Sequence, residues 1–144
     1  MIFLDKLFKW PAGIKKTKQR ESLISILQNS TKPLSALEIY TIMKKQGDKI
    51  WLSTVYRIIE NFLQNNIVLK STLADSETAL YELNRFEHKH YAVCIKCHKI
   101  IPIYNCPMEQ FIPELSAKDF HVVGHKLEIF GYCKDCYEQL KKVN

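Results

Sequence analysis

Ser53-Thr54-Val55-Tyr56-Arg57-Ile58-Ile59-Glu60-Asn61-Phe62-Leu63-Gln64 is the stretch on which the fold of this chain turns. Val55, Ile58, Ile59, Phe62 and Leu63 fall at the i, i+3, i+4, i+7, i+8 spacing that draws one apolar stripe along an α-helix. Ser53 has the side-chain oxygen expected of an N-cap. Tyr56, Arg57, Glu60, Asn61 and Gln64 then share the opposite, polar face. A helix of this kind buries one side against a core and offers the other to a partner.

Upstream, Ser35-Ala-Leu-Glu38 is a capping box that starts a second helix, with Leu37, Tyr40 and Met43 expected inward and Gly47 ending it in the left-handed conformation. Before that, Thr17 to Asn29 places Leu23, Ile24 and Leu27 on one helical face. Downstream, Ile67 to Leu73 and Ala79 to Leu83 are β-prone runs around the turn-rich Ala74-Asp75-Ser76-Glu77-Thr78, which reads as a hairpin. Three helices followed by a hairpin is the order of a winged helix-turn-helix. It is expected over residues 1–84, with Asn84 to Glu87 as the linker into a second domain over 85–144.

A winged helix-turn-helix reads a DNA major groove with its third helix, whose first residues face the base edges. That assigns Ser53, Thr54, Tyr56 and Arg57 to DNA; a guanine edge and a phosphate are both open to Arg57. The 144 residues carry a formal charge of +6 with a pI near 9.0, and Lys15, Lys16, Lys18 and Arg20 fall within six positions. Lys15 and Lys16 are placed to reach the flanking DNA backbone or minor groove, and Arg20 is counted with the DNA-binding residues. A polyanionic partner follows from this charge, although a solvated basic face would leave the same mark.

The chemistry changes near residue 85, since all five histidines and all five cysteines lie from His88 onward. The opening residues MIFLDKLFKWP have Asp5 and Lys6 in the apolar run and no small-residue cleavage site, and no stretch reaches the roughly 18 apolar residues of a membrane span. A cytoplasmic location is therefore expected. In a reducing compartment an odd number of cysteines points to metal rather than disulfides.

Cys94-Ile-Lys-Cys97 and Cys133-Lys-Asp-Cys136 are two C-x-x-C knuckles whose four thiolates can close a tetrahedral shell around zinc, with no position left for substrate. The 35 residues between the pairs exceed the roughly 15–20 of a compact zinc ribbon, so the insert must fold by itself. It is expected to form short strands around one helix. His88 and His90, two apart, project to the same face of a strand. Asn105-Cys106-Pro107 reads as a helix start that brings Glu109 into its first turn and ends or kinks by Pro113. His125 precedes the strand-like run Lys126 to Tyr132. Cys106 reads first as a small, partly buried residue, and His98 and His121 as surface or structural residues.

Taken together, Ser53-Thr-Val-Tyr-Arg57, Tyr81-Glu-Leu83, the histidine pair before Cys94-x-x-Cys97, and Gly124-His125 ahead of Cys133-x-x-Cys136 resemble the ferric uptake regulator (Fur) superfamily from about Thr17 to Cys136. Asn105-Cys-Pro-Met-Glu109 and Gly124-His-Lys-Leu-Glu-Ile-Phe130 are most similar to its zinc uptake regulators. The resemblance implies an N-terminal winged helix, a C-terminal α/β dimerisation domain, and a homodimeric repressor of metal-uptake genes that binds a palindromic operator when metal-loaded. It also implies structural zinc at Cys94, Cys97, Cys133 and Cys136, and a regulatory divalent metal, taken as zinc, at His88, His90, Glu109 and His125.

The family's hinge metal site does not carry over. Its positions read Pro33, Glu82, Lys89, Tyr91 and Pro102 here, and only Glu82 can bind metal. A peroxide sensor that relies on that site is not expected. Two other readings stay open on the same fold: an iron- or manganese-responsive repressor, and a constitutive DNA-binding protein with structural zinc alone. No H-E-x-x-H helix supplies a general base beside the histidines, so an enzyme is not expected.

Overall fold

The computed structural model describes residues 9–73, 76–85, 88–111 and 113–143. The expected turn residues Ala74 and Asp75 and the linker residues Phe86 and Glu87 lie outside them. The chain divides into two compact units, Met1–Glu87 and His88–Asn144.

In the first unit, α1 spans Lys18–Asn29 and is capped by the Thr17 hydroxyl, which accepts from the Arg20 N–H at 3.2 Å. Leu23, Ile24, Ile26 and Leu27 are buried. Helix α2, Ala36–Lys45, is capped by Ser35, which accepts from the Glu38 N–H at 3.1 Å. Its buried stripe is Ala36, Ile39 and Met43, whereas Leu37 is 60% exposed and Tyr40 half-buried. The expected stripe through Leu37 was thus set one position too far round the helix, about 100° per residue.

Gly47 takes φ +89°, and the N–H groups of Gly47 and Asp48 bond back to Lys44 (3.1 Å) and Met43 (3.0 Å). That is the Schellman closure, which satisfies carbonyls the helix leaves open.

Helix α3 spans Leu52–Gln64 and buries Val55, Ile58, Ile59 and Phe62. It starts earlier than Ser53, because the Trp51 carbonyl already accepts from Thr54 (3.0 Å) and Val55 (3.2 Å). Trp51 is the N-cap, and Ser53 stands exposed inside the first turn. Asn66, at φ +57°, turns the chain out of α3, a conformation asparagine tolerates better than most residues.

Strands β1 (Val68–Ser71) and β2 (Leu80–Leu83) then pair antiparallel from Val68↔Leu83 to Ser71↔Leu80. Leu34, between α1 and α2, bridges to Tyr81 with bonds of 2.8 and 2.7 Å and ties the wing to the helices. Trp10 closes the core from the N-terminal side, its ring edge-on to Phe62 at 6.4 Å and its indole N–H donating to the Ile14 carbonyl at 2.7 Å.

Asn84 and Arg85, read as linker, are bonded into this unit. The Asn84 side-chain amide donates to the Asn66 carbonyl at 2.9 Å, and Arg85 Nη2 donates to the Gln28 and Leu27 carbonyls at 2.9 and 3.1 Å.

The second unit is built on a three-stranded sheet ordered β4-β3-β5. Central β3 (His90–Cys94) runs antiparallel to β4 (Ile100–Ile103) and parallel to β5 (Glu128–Gly131). The helix expected from Asn105 is a single 3-10 turn, Pro107–Glu109, complete at Gln110 before Pro113 is reached. The unit's helix is instead α4, Lys134–Val143, which continues straight from the second cysteine knuckle. No helix among the described residues is long and apolar enough to cross a membrane.

Candidate metal centres

The four knuckle cysteines are delivered by local structure. Cys94 ends β3, and the following turn is closed by bonds of 2.9 Å from the Cys94 N–H to the Lys99 carbonyl and from the His98 N–H to the Cys94 carbonyl. His98 sits there at φ +63°, a structural position rather than a ligand's. Cys133 immediately precedes α4 and Cys136 lies in its first turn, three residues on and on the same face. The Ile95 N–H bonds the Gly131 carbonyl at 2.9 Å, which brings the two knuckles side by side at one end of the sheet.

All four sulfurs lie within 4.8 Å of one another, with Cys97 and Cys133 at 3.7 Å. Zinc–thiolate bonds of about 2.3 Å in a tetrahedron set sulfurs about 3.8 Å apart, so the shell has the size of a zinc site. Backbone N–H groups, chiefly of Cys97 and then Cys133, draw the Cys94 thiol down from 9.0 to about 5, so this thiolate is ready at neutral pH. Burial, together with the neighbouring sulfurs, pushes Cys136 up to about 12. One thiolate is thus cheap and the next costly in a sulfur-rich pocket, the imbalance that a bound dication removes.

The second cluster forms at the opposite end of the same sheet. His90 opens β3 and His88 lies two residues before it, with ring centroids 4.5 Å apart. The β3 registers are His90↔Ile103 on β4 and Tyr91↔Glu128 on β5. Three residues beyond Ile103 lies Cys106, and three before Glu128 lies His125. Both flanking strands therefore deliver a side chain to the end where β3 presents its histidines.

The Nε2 atoms of His88, His90 and His125 stand 2.8, 2.8 and 3.0 Å apart, and Cys106 Sγ lies 3.2, 3.3 and 3.2 Å from the same three nitrogens. A tetrahedral zinc would hold such nitrogens about 3.3 Å apart and a sulfur about 3.6 Å from each, slightly wider than this. Hydrogen bonds alone cannot satisfy the triangle. Each Nε2 either donates or accepts, so at least two of three share a role and repel. A cation at the centre lets all three accept together.

The His90 ring also hydrogen-bonds the Leu127 backbone, a contact of the kind that orients a ring able to bind metal. Burial first, and the neighbouring His88 and His125 next, hold the His90 pKa below 6.5 and favour the neutral, ligating form.

Three of the four residues expected in this centre, His88, His90 and His125, are therefore brought together. The Glu109 side chain lies outside the described positions; its backbone belongs to the 3-10 turn. Cys106, read from sequence as a small, partly buried residue, is 7% exposed and faces the three nitrogens. Its proximity to His90 follows from strand register, which no local spacing encodes. Among the described residues, this cluster and the four cysteines are the two groups of three or more His, Cys or acidic side chains close enough to share an ion.

On the first unit, Ser53, Tyr56, Arg57 and Glu60 are exposed on α3, and Thr54 is half-buried. Trp51, which the sequence did not single out, stands 80% exposed at the same end of the helix. The basic run at the start of α1 is partly engaged: Arg20 Nη1 donates to the Lys15 carbonyl at 2.7 Å, and Lys16 pairs with Glu21 at 3.2 Å.

The family model described as the ferric uptake regulator family matches residues 11–130. The "Zinc uptake regulation protein" of Mycobacterium tuberculosis is 32% identical over 127 residues, covering 87% of this chain and 96% of that protein. The "Ferric uptake regulation protein" of Neisseria meningitidis is 27% identical over 133 residues, covering 91% and 92%. The iron-bound ferric uptake regulator of Francisella tularensis superposes with a TM-score of 0.75 at 27% identity, covering 90% of this chain and 99% of that one. With its helix order, its sulfur shell and its histidine cluster in place, the chain belongs to the ferric uptake regulator family and is a metal-responsive regulator of that family.

Proposed function

We propose that this protein is a zinc-dependent transcriptional repressor that binds a palindromic operator as a homodimer. The observation that carries the reading is the convergence of His88, His90 and His125 on one point, at the residue where the second unit begins. A nitrogen-rich set favours zinc over ferrous iron or manganese in the Irving–Williams order. Structural zinc in the four-cysteine shell staples a unit of only 57 residues, below the roughly 80 at which a core alone suffices. Ile101, Ile129 and Phe130 are about half exposed on the outer strands of that unit, apolar surface that suits a second copy.

Zinc supplies a single positive centre for the converging nitrogens. The protein's part is to hold His88 and His90 toward His125, which fixes where the chain leaves the second unit toward the winged helix. Repression requires the DNA-competent arrangement to hold zinc more tightly than the other, because only differential affinity shifts a population. Resemblance alone assigns the fourth position of this centre to Glu109.

The test measures zinc per chain alongside operator affinity, using a duplex selected from random sequence by the zinc-loaded protein. For His125→Ala we expect two zincs to fall to one and operator binding to be lost. Equal operator affinity with one and with two zincs would overturn the proposal in favour of constitutive binding.

A further inference from the structure

We infer that Cys106 is a ligand of the second centre, where its thiolate completes a three-histidine, one-cysteine shell specialised for zinc-like metals. The inference rests on the proposed metal-responsive reading and names the chemistry of that site. The Cys106 sulfur is nearly equidistant from three nitrogens that belong to two different parts of the chain, at 3.2, 3.3 and 3.2 Å. A cysteine that merely filled space would turn its sulfur toward apolar neighbours. Cys106 is 7% exposed, and its sulfur faces the three atoms of the cluster that need a shared cation.

The backbone holds it there for local reasons. Pro107 occupies the first position of the 3-10 turn and fixes its φ, and Cys106 is the extended residue at the turn's N-cap. Strand β4 ends three residues earlier at Ile103, paired with His90, so Tyr104 and Asn105 carry the chain just far enough to return Cys106 over that histidine. The step formed on binding is a metal–sulfur bond. The thiol proton goes to solvent and no electron is transferred.

A thiolate changes what the site selects. Soft sulfur with imidazoles suits zinc and cobalt, whereas manganese prefers carboxylate and water oxygens. The same cluster with a carboxylate in place of Cys106 would discriminate less between them.

The experiment uses the full-length chain with zinc retained in the four-cysteine shell, titrated with Co(II) and followed by absorption. Wild type should take up one cobalt with a thiolate-to-cobalt charge-transfer band. Cys106→Ser should lose that band and weaken metal binding by at least about tenfold, the scale that even outer-shell losses reach. Glu109→Gln should keep the band. Cys106→Asp should narrow the preference for zinc over manganese. One cobalt bound without a thiolate band would overturn this assignment and leave the proposed function standing. No second metal in wild type would overturn both. As a check that needs no variant, Cys106 should be alkylated by iodoacetamide in protein holding one zinc and protected in protein holding two; equal alkylation would count against the ligand role.

Discussion

At the scale of single residues, His90 shows how burial and neighbours keep an imidazole neutral. The residue is 6% exposed and its pKa is held below 6.5 by burial and then by His88 and His125. In protein stripped of the second metal, the unfolded chain therefore binds more protons than the folded one between the folded value and 6.5, and stability rises with pH across that window. The contribution is fully present above 6.5 and is lost as pH falls through the folded value. Thermal melts of the second unit should shift downward on acidification below 6.5, and adding zinc should oppose the shift. A melting temperature that rose on acidification would contradict this electrostatic picture. Cys106 belongs at the same scale. The sequence displays it beside a proline, which describes a turn, while the three imidazoles around it come from positions 16 to 19 residues away along the chain.

At the scale of elements, α1 illustrates a helix completed from a distance. Its N-terminus is capped locally by Thr17, but it has no basic residue in its last turn. Arg85 supplies the missing charge, donating to the Leu27 and Gln28 carbonyls from 58 and 57 residues away. A cation at a helix C-terminus is worth about 0.3–1 kcal/mol and charged hydrogen bonds about 1.5–3 kcal/mol. Arg85 is half-buried, so solvent screening takes part of this. Arg85→Ala should destabilise the first unit by about 1–2 kcal/mol in denaturant unfolding followed by circular dichroism, with Arg85→Lys recovering part of the loss. No change in midpoint would show that the contact contributes nothing. The caps at Ser35 and Gly47 were legible because they act within one turn of their own helix, whereas the N-cap of α3 is Trp51 and not Ser53. The stripe of α2 and the start of α3 were misplaced by one or two positions, because neighbouring elements and not propensity choose which apolar residues are covered.

At the scale of the whole molecule, the two centres differ in depth and in donors. Three of the four cysteines, Cys94, Cys133 and Cys136, are buried and Cys97 is exposed, whereas the second centre joins buried His90 and Cys106 to exposed His88 and His125. Structural zinc is worth about 10–16 kcal/mol in small zinc peptides near neutral pH, as large as the 5–15 kcal/mol net stability of a typical domain. A moderate chelator should therefore take zinc content from two to one and abolish operator binding while the second unit stays folded. A strong chelator with thiol alkylation should remove the remaining zinc and melt the second unit, leaving the helical signal of the first, whose described core holds no metal cluster. Metal analysis and circular dichroism on the same samples separate the two steps. Simultaneous loss of both zincs, or retention of operator binding at one zinc, would contradict the division of roles.

The sequence by itself determined the elements and groups whose logic is local: the amphipathic third helix, the caps of α2, the hairpin strands and the two C-x-x-C knuckles. The histidine pair was visible from its two-residue spacing, although only His90 lies in β3 and His88 precedes it. Only the tertiary structure decided which groups from different strands meet. Strand register places Cys106 beside His90 and His125, the Leu34 bridge ties the wing to the helices, and Arg85 completes α1. Each of these contacts depends on turn lengths and pairing offsets summed over many residues, and a shift of one position in either flanking strand would take the cluster apart without changing a single motif.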